Sequence, residues 1–152
     1  MKTSVERLGW AAILACAGLL AGCAGLQGER EWDTAEAVLA APPDKVREAV
    51  VEVLMEGGYE IVEADLPGGV VKTEYRRELH SPWNRLLVSR FGVGRSVVES
   101  RIAPAEGGTH LTIRVGYEAK DRQWASWESA QPPLAQSAAN QLRLVKNALG
   151  LL

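Results

Sequence analysis

Few residues in this 152-residue chain are of a type that does covalent or acid–base chemistry. There are two histidines, His80 and His110, and two cysteines, Cys16 and Cys23. His80 directly precedes Ser81, but adjacency in sequence does not bring a base within hydrogen-bond reach of a nucleophile. A zinc site built on either histidine would need carboxylates to complete it, and no tight cluster of ligand types exists. Gly92-Val93-Gly94 lacks the strand–glycine–helix context of a phosphate-binding loop. His110 falls on the polar side of an alternating run and reads as solvated. The sequence therefore predicts no enzyme, no cofactor and no metal. That leaves Cys23, whose position is informative about place rather than catalysis.

Cys23 closes the stretch LLAGC. The chain opens MKTSVER, with Lys2 and Arg7 against Glu6, and residues 8–20 are uncharged. That run is too short to span a bilayer, which takes about 20 apolar residues. It has the layout of a secretory signal peptide: a basic start, an apolar centre and small residues at the end. Leu20-Ala21-Gly22-Cys23 resembles the lipobox of bacterial lipoproteins. The resemblance implies a diacylglycerol thioether on Cys23, cleavage before it, and acylation of the freed amine. Several chains on one residue serve retention, since a single chain binds membranes only marginally. The residue after the cysteine is Ala24, not Asp, which is similar to an outer-membrane address. The expected location is the outer membrane, lipid-anchored, on the periplasmic face. The other readings are an ordinary signal peptide containing a cysteine and an uncleaved anchor.

Removal of residues 1–22 leaves 130 residues, enough for one domain with a real core. Cys16 departs with the signal and Cys23 is lipidated, so the mature chain forms no internal disulfide and rests on packing. Its formal charge moves from −2 to −3, which gives no general attraction for nucleic acid. The expected organisation is a signal peptide over 1–22, the lipidated Cys23 with a tether to residue 33, and one domain over 34–152.

The elements that must position any site follow from periodicity. Residues 34–40 suit a first strand. Residues 41–58 read as a helix, with Pro42 and Pro43 at its start and Asp44 at its positive end. Val46, Ala49, Val50, Val53 and Leu54 form its apolar face, and Gly57 and Gly58 stop it. Residues 59–64 and 70–75 form a hairpin about DLPGG, and 95–103 and 109–117 a second about PAEGG. Leu111, Ile113, Val115 and Tyr117 alternate with His110, Thr112 and Arg114, so one sheet face is packed and the other wet. Over 132–152, Leu134, Ala138, Leu142, Val145, Leu149 and Leu152 predict a helix of about five turns. The expected fold is α+β: an antiparallel sheet of about five strands with two helices on one face, in the order β-α-β-β-β-β-α.

This order, with APPDKVREAV in the first helix, GYEI, a turn and GVVKT, resembles the helix-grip domains of BamC-like outer-membrane assembly lipoproteins. The resemblance covers residues 34–118 and the last helix, with one such domain here instead of two. It implies an envelope role in outer-membrane protein assembly.

Two segments stand outside the sheet pattern. Residues 76–95 carry Arg76, Arg77, Arg85, Arg90 and Arg95 against Glu78. Ser81-Pro82 suits a helix start, after which Trp83, Leu87 and Phe91 share a face. The segment is either a docking element for an acidic partner or anionic headgroups, or a loop helix that closes one end of the core. Residues 121–133 carry Trp124 and Trp127, which either anchor an interface or seat the final helix on the sheet. The candidate partner-binding set is Trp83, Arg85, Arg90, Phe91, Trp124 and Trp127. The function expected is a lipid-anchored periplasmic interaction or scaffold module with an envelope protein partner. The second reading is a module that holds an apolar ligand between helix and sheet.

Overall fold

The computed structural model describes residues 31–65, 68–78, 93–122 and 124–152. β1 (Trp32–Leu39) leads into α1 (Pro43–Glu56), followed by β2 (Ile61–Asp65), β3 (Val70–Thr73) and β4 (Arg76–Arg77). β5 (Val93–Ala105) and β6 (Gly108–Lys120) are the long strands, and β7 (Glu128–Ser129) is a short one. A 3-10 turn (Leu134–Gln136) and α2 (Ala138–Ala148) complete the chain. The fold is α+β with a helix-grip order. Five strands lie side by side as β1-β6-β5-β3-β2, all antiparallel, while β4 pairs with β5 and β7 with β6. The two short strands bring the sheet to seven, against the five expected.

β1 and β2 occupy opposite edges, so α1 must cross the sheet between them. Pro43 starts α1, where a missing N–H is no loss. The helix ends at Glu56 because Gly58 takes φ +78°, which lets Tyr59 N–H bond back to the Leu54 carbonyl and Gly58 N–H to Met55. All five expected apolar residues of α1 are buried. They meet Leu111, Ile113 and Val115 of β6, Val98 and Ile102 of β5, and Leu142 and Val145 of α2 in one core. Among the described residues no helix covers the opposite sheet face, in line with the alternation in β6.

Two boundaries differ from the sequence expectation. β1 starts at Trp32, and the Asp33 carboxylate accepts the Ala138 N–H at 2.7 Å at the start of α2. Trp32 and Asp33 therefore belong to the domain. The last helix spans three turns, not five: Ser137 caps it by accepting from Asn140 N–H, and Gly150 at φ +67° ends it. Leu134 and Leu152, counted on its apolar stripe, are 84% and 72% exposed. Among the described residues no helix is long and apolar enough to cross a membrane.

Candidate functional site

The strand register gathers the two unusual segments at one end of the sheet. Val93, where β5 begins, pairs with Lys120, where β6 ends. The segment before β5 and the loop after β6 therefore meet the sheet side by side. Trp32 pairs with Gly116, so the amino-terminal approach enters at this end too. The Glu31 N–H donates to Ser129 Oγ, and the Gln131 amide donates to the Glu31 carboxylate at 2.9 Å.

On the face opposite α1 and α2, Arg95 is held between two rings. Its guanidinium lies 4.2 Å from the Tyr75 centroid and 4.3 Å from that of Trp127. It also pairs with Glu118, which takes the Tyr75 hydroxyl at 2.7 Å. Lys120 covers Trp127 at 4.8 Å. Trp127 thus fastens its loop to the face opposite the helices and does not seat α2. Trp124, three residues earlier, is 91% exposed. Trp83, Arg85, Arg90 and Phe91 lie outside the described residues, as does Cys23. His110 sits on the wet face with Nε2 3.7 Å from Glu36. Among the described residues no group of three His, Cys, Asp or Glu could hold a metal.

On the helix side of the same end, Glu78 forms a node. Its carboxylate accepts from Gln136 Nε2 at 2.7 Å, the Tyr117 hydroxyl at 3.0 Å and Gly94 N–H at 3.2 Å. Burial, helped by the hydrogen bond and charge of Glu78, pushes the Tyr117 hydroxyl up to about 12. The node ties the base of the 76–95 segment to the turn before α2; the helix expected after Ser81 lies outside the described residues. Next to it, Arg76 stacks on Tyr59 at 4.8 Å and donates to the Gly57 carbonyl exposed by the end of α1. The Tyr59 hydroxyl shares a 2.8 Å hydrogen bond with Ser96. Arg76 and Gln136 form one end of a cleft of about 460 Å³ between α1 and α2. Sequence reading named Arg76 only as part of a basic run and missed Gln136 and Tyr59. Nothing local marks two residues 60 positions apart as lining one cleft.

No family model matches the chain, and no curated protein matches it. Solved structures with a related outline include Ara h 8.0201, at TM-score 0.35 and 14% identity over 79% of this chain and 98% of that one. A DUF4468 family protein from Bacteroides ovatus gives TM-score 0.38 and 11% identity, covering 86% of each chain. The Zhui aromatase/cyclase from Streptomyces sp. R1128 gives 0.29 and 14%, over 79% and 84%. Scores this low decide nothing about function.

Proposed function

We propose that this chain is a lipid-anchored, non-enzymatic interaction module of the bacterial envelope, held at the outer membrane through Cys23. The observation that carries the reading is Trp124. A tryptophan 91% exposed on a loop that Trp127 fastens to the sheet is a large apolar group open to burial against a partner. The lipobox-like run supports the anchor. From Cys23 to Glu31 the chain reaches at most about 28 Å, so the end that carries Trp124 stays close to the membrane. A role in outer-membrane protein assembly rests on the resemblance to BamC-like domains alone.

The anchor is tested by Cys23→Ser, fractionation and palmitate labelling. The expected result is loss of label and release from membranes. A mutant that labels and pellets like wild type removes the reading.

The second reading places an apolar ligand between helix and sheet; the cleft that supports a ligand-binding module lies instead between the two helices. The space between helices and sheet is filled by Val50, Val98, Leu111, Leu142 and their neighbours, so the room available lies at the helix edge.

A further inference from the structure

The inter-helix cleft is lined by two residues that each keep a buried polar atom without a partner among the described residues. Gln136 is 9% exposed, and with Nε2 given to Glu78 its Oε1 faces no donor among the described residues. Arg76 has the complementary need. Its Nε is buried without an acceptor, and no carboxylate among the described residues pairs with its guanidinium. Both line the cleft, whose α1 wall adds the exposed carboxylates of Glu52 and Glu56, neither of them ion-paired among the described residues. Leu144 adds an apolar patch.

We propose that this cleft binds a short zwitterionic peptide through its free carboxyl end. The carboxylate meets Arg76, an amide N–H meets Gln136 Oε1, and the ammonium lies toward Glu52 and Glu56. A guanidinium offers a planar fork that matches a carboxylate. An amide oxygen hidden from water takes a donor, and a peptide supplies one beside its carboxylate. Two carboxylates attract the ammonium and disfavour a ligand that is only anionic. A carboxylate with no N–H or O–H beside it would answer Arg76 and leave Gln136 unpaired; an apolar molecule would answer neither. The volume lies within the range of ordinary small-ligand sites and suits roughly two or three residues.

The test is calorimetric titration of the full chain in detergent with trialanine, trialanine amide and N-acetyl-trialanine. Saturable binding of trialanine is expected, weakened at least about tenfold by blocking either end. Arg76→Lys should lower trialanine affinity to that of the amide while the unfolding midpoint holds, because an ammonium lacks the fork. If that variant does not fold, the comparison of free and blocked peptides decides alone. No saturable binding of trialanine, or equal affinity for trialanine and either blocked form, overturns the proposal.

Discussion

Glu78 shows how one side chain can close a fold. Its three donors come from β5, β6 and the turn before α2. Gly94 makes room for them: a Cβ there would stand 1.9 Å from the Tyr117 hydroxyl oxygen and 2.7 Å from Glu78. Gly94→Ala should therefore displace both groups and cost about 1–3 kcal/mol in urea unfolding, from overpacking and lost hydrogen bonds. A loss within about 0.5 kcal/mol would mean that the node yields without strain. Tyr117 gives the node a pH signature. Its hydroxyl ionises near 10 in the unfolded chain and near 12 in the fold, so the native state holds the proton more tightly. Stability from this group is full below pH 10 and falls as pH rises from 10 to about 12. Tyr117→Phe should flatten that part of the profile; an unchanged slope would place the titration elsewhere.

At the scale of elements, the first helix and the four main strands after it were legible because each carries its own period and its own stop signal. Val46 to Leu54 recur at helical spacing, and Gly58 ends the run. The apolar spacing over 132–152 predicts a longer last helix than the structure has, for a physical reason. Leu134 and Ala138 are four apart, but Ser137 between them has extended backbone and caps a new start. A cap signal outranks one more apolar residue in phase. The two-residue strands were invisible, since their pairing comes from neighbours and not from pattern. That Arg76 and Gln136 line one cleft was equally hidden, because tertiary folding alone brings β4 beside the turn before α2. The shortened α2 still docks: Leu142 is 7% exposed and packs in the core. Leu142→Ala should cost about 2–5 kcal/mol by denaturant unfolding. A cost below about 1 kcal/mol would show a helix that is not held as described.

For the whole molecule, the topology separates two ends of one sheet. One end receives the chain from its amino-terminal approach and bears the loop with Trp124. The other bears the tight β5–β6 turn, where Glu106 is exposed. A module anchored at Cys23 and docking through Trp124 uses the first end and leaves the second idle. The most direct measurement is photocrosslinking in cells, with a photoreactive residue placed at 124 or, as control, at 106. The expected result is a discrete adduct with an envelope protein from position 124, none from 106, and loss of the adduct when Cys23→Ser is added. No adduct from 124 above background, or the same adduct from both positions, would contradict an interaction module that works through this end.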